Sequence, residues 1–157
     1  MTAAAGDAPF TARRGAYEVA ADPARLDLDV IHGFLAASYW SPGIPRDTVA
    51  RALAGSLCFG LFRDDAQVGL ARFVTDRATF AYLADVFVLE AHRRQGLATW
   101  MVGVALTHPA LTGLRRFLLA TRDQQRLYAK VGFAPLAHPE RLMEIHRPDV
   151  YRTAAGG

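Results

Sequence analysis

The six residues Arg93-Arg94-Gln95-Gly96-Leu97-Ala98 stand just after an almost uninterrupted apolar run, Thr79 to Leu89, and just before a helical stretch that ends at Pro109. A strand, a basic turn and a helix N-terminus in succession leave several backbone N–H groups unpaired at the positive end of a helix dipole. Two full charges stand beside them. Such a junction suits a phosphate. Gly96 lets an anion reach the backbone, and Leu97 with Ala98 lets the first helical turn lie close to the strand. A Walker loop is excluded, because it ends in Gly-Lys-Ser/Thr and the single lysine, Lys130, lies elsewhere. The dinucleotide fingerprint GxGxxG is absent too.

A second segment carries a phenol that could do acid chemistry. Arg116-Phe-Leu-Leu-Ala-Thr121 reads as a strand, Asp123 can cap a short helix, and Leu127-Tyr128-Ala129-Lys130-Val131-Gly132-Phe133 closes that helix with a glycine. Arg-x-x-Gly-x-Ala at a strand's end, followed by strand, short helix and Leu-Tyr-x-Lys-x-Gly-Phe, resembles the two halves of the site in the GNAT superfamily of acyl-CoA-dependent N-acyltransferases. The similarity runs from Tyr17 to Glu144. Ser38-Tyr39-Trp40, Gly43-Ile44-Pro45-Arg46 and the stretch from Ala81 to Val88 are similar to a group of small single-domain bacterial members.

The resemblance implies an α/β fold of GNAT type, with a mixed, mostly antiparallel central sheet flanked by helices. Two parallel strands, around Val86 and Leu118, splay apart there and admit the pantetheine arm of acetyl-CoA, the acyl-donor cosubstrate. The backbone of Val86, Phe87 and Val88 would pair with pantetheine, and Arg93, Arg94, Gln95, Gly96, Leu97 and Ala98 would hold the pyrophosphate. Thr121 and Asp123 would face CoA; Thr121 stands where many relatives carry asparagine, and Gln124 replaces a usual alanine. Either Thr121 or Gln124 could instead help to cap the helix. Tyr128 takes the place of the tyrosine that commonly protonates the departing thiolate. Its spacing also allows an aromatic simply packed beside Leu127 and Val131.

An amine of lysine type has a pKa near 10.4, so only about one molecule in 2,500 is neutral at pH 7, a deficit of about 4.6 kcal/mol. A base or a proton-conducting water chain would help such an acceptor, and the oxyanion formed by attack on the thioester needs a donor such as a strand N–H. Asp85 is the only ionisable carboxylate between Thr79 and Leu89. Buried carboxylates need a partner or a wet cleft, so Asp85 either orients or deprotonates the amine, or ties down backbone or an arginine such as Arg72. The glutamate base of the family falls nearer Tyr82, where this chain has no carboxylate, which leaves the base unassigned. Tyr39 and Trp40, in a chain break between two helices, and Tyr82 are the residues expected at the acceptor pocket, although aromatics there equally suit plain packing.

Around these residues the chain offers a strand at Ala16–Ala20, a helical spacing over Leu26–Ser38, a break at Ser41–Pro45 and a helix at Arg46–Ala54. A hairpin through Asp64-Asp65 joins strands at Leu57–Arg63 and Gln67–Thr75, and a late strand is expected at Leu142–His146. At 157 residues and 52% hydrophobic the chain fits one domain, 15–152, with loose tails at 1–14 and 153–157. The one cysteine, Cys58, lies in an apolar run and reads as a small core residue, not a nucleophile. The N-terminus does not resemble a signal peptide and the longest apolar helix is too short for a bilayer, so a cytoplasmic protein with no membrane partner is expected. A net charge of +3 arises from arginines spread along the chain, which argues against nucleic acid, and the five histidines show no spacing that indicates a metal site.

The expected activity is direct transfer of acetyl from acetyl-CoA to a primary amine of a small molecule or peptide, through a ternary complex. A non-catalytic acyl-CoA sensing module and an acyltransferase using a longer acyl-CoA are the alternatives. A homodimer is compatible with the resemblance.

Overall fold

The computed structural model describes residues 9–155. Six strands form one sheet in chain order: β1 (Phe10–Arg14), β2 (Tyr17–Ala21), β3 (Leu57–Arg63), β4 (Ala66–Thr75), β5 (Phe80–Val88) and β6 (Arg116–Leu119). Neighbours run antiparallel except β5 and β6, which are parallel and joined through helix α3 (Leu97–Ala105). Helices α1 (Leu28–Ala36) and α2 (Arg46–Ala54) lie on one face of the sheet and α3 on the other. The expected mixed, mostly antiparallel sheet flanked by helices is therefore observed.

Alternation along the strands sorts the core into two layers. Leu57, Phe59 and Leu61 of β3 join Phe73, Leu83, Met101 and Val102 on the α3 side, whereas Cys58 joins Ile31, Leu35, Val49 and Leu70 beneath α1 and α2. Two-residue turns join β1 to β2 and β3 to β4, and Asp64 and Asp65 both take the positive φ that such a turn requires. Helix α1 begins at Asp27, whose carboxylate accepts from the N–H groups of Asp29 and Val30. The N–H of Asp27 donates to the buried side chain of Gln67, which fixes α1 against β4.

Strand β5 departs from regular alternation. Leu70 pairs with Phe87 and Arg72 with Ala84, so Asp85 and Val86 together oppose Ala71 in a β-bulge. Asp85 has φ +53. The extra residue inverts the faces: Ala81 and Leu83 point to the α3 layer, but Phe87 points to the α1/α2 layer.

Four expectations need correction. Phe10–Arg14, which composition places in a loose tail, pairs with β2 along its whole length, and Phe10 packs edge-on to Phe59 at 6.0 Å. The rest of the expected N-terminal tail, residues 1–8, lies outside the described residues; at the other end α5 (Val150–Ala155) extends into the second expected tail. β6 stops at Leu119, because β5 bends away and the parallel ladder ends with Leu83 opposite Leu119. Asp123 does not cap helix α4 (Gln125–Ala129); Thr121 Oγ1 instead accepts from the N–H of Gln124 at 3.0 Å. Leu142–His146 is not a strand, for it lies exposed beyond the sheet without a pairing partner among the described residues.

Candidate active site

Where β5 and β6 part, a cleft of about 1200 Å³ opens between the second half of β5 and the loop that follows β6. Val86, Phe87 and Val88 line it with main chain that has no strand partner on the β6 side. At one end stand Arg93, Arg94, Gly96, Leu97 and Ala98. Gly96 is the residue before α3 and has φ +71, a conformation that costs any residue with a Cβ. The first bond into the helix runs from the N–H of Trp100 to the carbonyl of Gly96, leaving the N–H groups of Leu97, Ala98 and Thr99 without partners among the described residues. These face a positive end of α3 free of any capping side chain.

The charges at this end differ in detail from the sequence reading. Arg93 Nε donates to the carbonyl of Val88 at 2.8 Å, tying the turn to β5. Gln95 turns out of the cleft, its amide donating to Tyr17 Oη and to the His92 carbonyl. Arg14, from the turn end of β1, brings Nη1 to 3.9 Å from the place a Cβ on Gly96 would occupy. Tyr17, bonded to His92 Nδ1 at 2.9 Å and accepting from Arg63 Nη1 at 3.3 Å, completes a basic rim around the turn. Neither Arg14 nor Arg63 was singled out by motif, because only strand pairing brings them beside residues some 30 to 80 positions further along the chain.

Asp85 stands midway along the cleft. Its carboxylate accepts from Arg72 Nε through Oδ2 and from Trp40 Nε1 through Oδ1, each at 2.8 Å, and the Arg72 and Asp85 side chains are only 16% and 11% exposed. Arg72 also donates to Ser56 Oγ at 3.0 Å. Of the two roles open to Asp85, this geometry favours tying down an arginine, since both oxygens are engaged. Trp40 is held by a loop with little freedom: Ser38 and Ser41 are buried, bonded to each other and to the carbonyl of Leu35, while His32 Nε2 donates to the carbonyl of Ile44.

Tyr39 leaves the same loop and crosses the cleft. Its ring lies 4.0 Å beneath the Arg122 guanidinium carbon, and its hydroxyl accepts from the Arg122 N–H at 3.4 Å. Tyr82 and Phe34 add aromatic surface nearby. Thr121, Asp123 and Tyr128 line the opposite wall. Gly132, with φ +105, ends the short helix and lets the N–H of Phe133 bond to the carbonyl of Tyr128. Burial, with a smaller contribution from Tyr39, pushes the Tyr128 phenol up to about 12 from its usual 10.0, so it stays protonated and able to donate. Cys58 is outside the cleft; burial raises its thiol to about 11, which removes the thiolate a nucleophile needs.

The chain couples a bulged strand, a bare helix N-terminus and a half-buried tyrosine across a parallel-strand gap. The model of the acetyltransferase (GNAT) family matches residues 27–133. This chain belongs to that family. A curated Gibberella zeae protein assigned as an acetyltransferase is 36% identical over 74% of this chain and 78% of its own. A GNAT-family protein of Xanthomonas campestris pv. campestris, also assigned as an acetyltransferase, is 46% identical over 86% of this chain and 96% of its own, with a TM-score of 0.83. At 15% identity, a Clostridium acetobutylicum protein assigned as an acetyltransferase and solved with acetyl-CoA shares the fold, covering 83% of this chain and 94% of its own with a TM-score of 0.59. GNAT membership makes this protein an acyltransferase by family, in a family that uses acetyl-CoA.

Among sequence-predicted positions, the structure brings all but Gln95 to the cleft wall. It adds Thr99, Arg122 and a group near the C-terminus, including His146, Pro148 and Tyr151, which reaches the cleft from a segment with no motif of its own.

Proposed function

We propose that the protein transfers the acetyl group of acetyl-CoA directly to a primary amine of a small molecule or peptide, with both substrates bound together. The observation that carries this reading is one continuous groove: unpaired N–H groups at the start of α3, unpaired β5 main chain at its centre, and the protonated Tyr128 hydroxyl opposite. In this reading the N-terminus of α3, with Arg93, Arg94 and Arg14 around it, takes the pyrophosphate, and pantetheine lies along Val86–Val88 as an added strand.

The amine, deprotonated on approach, attacks the thioester carbonyl. Main-chain N–H groups of β5 receive the oxyanion, the C–S bond breaks, and the departing thiolate takes the Tyr128 proton. The second amine proton returns through solvent to Tyr128, so amide, free thiol and the protonated tyrosine are left. Tyr39, Trp40 and Tyr82 form an acceptor wall of aromatic surface, which favours an amine attached to an apolar or flat group. The test is release of CoA thiol from acetyl-, propionyl- and succinyl-CoA across a panel of amines, amino acids, aminoglycosides and short peptides. Turnover of acetyl-CoA that collapses in Tyr128→Phe supports the reading. Tight acetyl-CoA binding with silence across the panel would favour a sensing module, and faster turnover of a longer donor would correct the acyl group.

A further inference from the structure

One hydroxyl beside the turn before α3 is shared by three side chains. Tyr17, the first residue of β2, is only 6% exposed, and its Oη lies 2.9 Å from His92 Nδ1, 3.3 Å from Arg63 Nη1 and 3.3 Å from Gln95 Nε2. Arg63 is its cross-strand partner on β3, whereas His92 and Gln95 belong to the turn.

The donors and acceptors at this hydroxyl decide where each proton sits. A guanidinium only donates, so Arg63 occupies one lone pair of Oη. The Gln95 nitrogen also faces the carbonyl of His92 at 3.2 Å, and a carbonyl only accepts. That contact orients the amide with its nitrogen toward both oxygens, so Gln95 occupies the second lone pair. The phenolic hydrogen is left for His92 Nδ1, which must accept it. In the neutral imidazole the ring hydrogen is then on Nε2, and that N–H has no partner among the described residues. His92 lines the cleft beside Arg93 and Arg94, and Tyr17 does not.

The same hydroxyl braces the backbone. Arg94 has φ +67 and Gly96 φ +71, two left-handed residues on either side of Gln95. A residue with a Cβ keeps that conformation only where its surroundings hold it. The Gln95 amide supplies the hold, reaching back past Arg94 to the His92 carbonyl and to Tyr17.

We propose that His92 binds a phosphate of the acyl donor through Nε2–H, and that Tyr17 is the positioning residue that sets this tautomer and holds the turn around it. The proposal rests on the reading that the start of α3 takes the pyrophosphate. Arg14, Arg93 and Arg94 attract an anion from many directions; a ring N–H of fixed tautomer accepts one placement, and so fixes how far pantetheine reaches along β5.

Nitrogen-15 NMR of histidine-labelled protein at about pH 8, above the usual histidine titration near 6.5, reads the tautomer, and calorimetry with acetyl-CoA reads the contact. The His92 signals are those lost in His92→Ala. They should show the Nε2–H form, and that proton should shift when inorganic pyrophosphate is added. His92→Ala should weaken acetyl-CoA binding about tenfold, whereas His92→Gln, whose amide N–H stands near the place of Nε2, should stay within about threefold of the wild type. Tyr17→Phe, folded by circular dichroism, should lose the single tautomer and bind about fivefold more weakly, and its effect should shrink in the His92→Ala background. An Nδ1–H tautomer in the wild type, equal affinity of His92→Ala and wild type, or no rescue by His92→Gln would each overturn the proposal while acetyl-CoA binding stands. A wild type that binds no acetyl-CoA would overturn the reading beneath it as well.

Discussion

Trp40 Nε1 donates to Asp85 Oδ1 at 2.8 Å, fastening the loop after α1 to the bulge of β5. The other oxygen of the same carboxylate holds Arg72, so one side chain joins a helix loop, a neighbouring strand and the wall of the cleft.

This junction is expected to position the wall rather than move a proton. Asp85→Ala strands a mostly buried guanidinium and should cost about 3 kcal/mol in denaturant unfolding, whereas Trp40→Phe loses one hydrogen bond and about 1 kcal/mol. Asp85→Asn and Trp40→Phe should both raise the KM of the amine and leave the shape of the pH–rate profile as in the wild type. Loss of the rising limb in Asp85→Asn alone would make Asp85 the base.

Tyr128→Phe keeps the ring and removes the proton. Turnover should fall about 100-fold, within the range of a positioned general acid, while the KM for acetyl-CoA stays within about twofold. Because the phenol is raised to about 12, it remains protonated wherever the amine is becoming neutral. The wild-type rate should therefore climb from about pH 7 to about pH 10 with no falling limb from loss of the acid.

At Gly96 the test separates fold from ligand. A methyl group there meets only Arg14 Nη1, at 3.9 Å, so Gly96→Ala should fold with a loss of about 1 kcal/mol from the positive φ. Acetyl-CoA affinity by calorimetry should drop about tenfold, since one tenfold step corresponds to about 1.4 kcal/mol.

Arg14→Ala removes a charge that the strand pairing delivers to the same turn. The KM for acetyl-CoA should rise a few-fold at low salt, and the difference from wild type should shrink toward about 1 M salt as screening removes the attraction. An unchanged salt dependence would place Arg14 outside the phosphate end.

Cys58 supplies a pH test of the core. Its thiol is raised by burial from the usual 9.0 to about 11, so the folded chain holds its proton where the unfolded chain has released it. Stability is unaffected by this group below pH 9 and should decline as pH rises from about 9 to about 11. Iodoacetamide at about pH 8 should label Cys58 only after denaturant is added, as mass spectrometry would show.

Much of this was legible in the sequence where a local signal exists. The α2 and β3 limits, the Asp64-Asp65 hairpin, the turn at Gly96 and the helix closure at Gly132 all rest on residues close to the structure they specify. Arg14 and Arg63 escaped because the proximity of Arg14 to Gly96 and of Arg63 to Tyr17 is a product of strand register, which no short motif encodes. Phe10–Arg14 hid within a run of small residues, since its stability comes from pairing and from the Phe10–Phe59 contact rather than from its own propensity. Leu142–His146 carries the strand pattern but pairs with no strand among the described residues, so a local preference alone did not decide its conformation.

The bulge at Asp85 and Val86 bears on how this gene can drift. Deleting either residue would remove the bulge while leaving Phe87 facing α1 and α2 and Val88 facing α3, and would straighten β5 back toward its parallel neighbour. The cleft exists because of one surplus amino acid, and lineages of this enzyme should tolerate length changes in the segment after Phe133 far more readily than a single codon lost from the middle of β5.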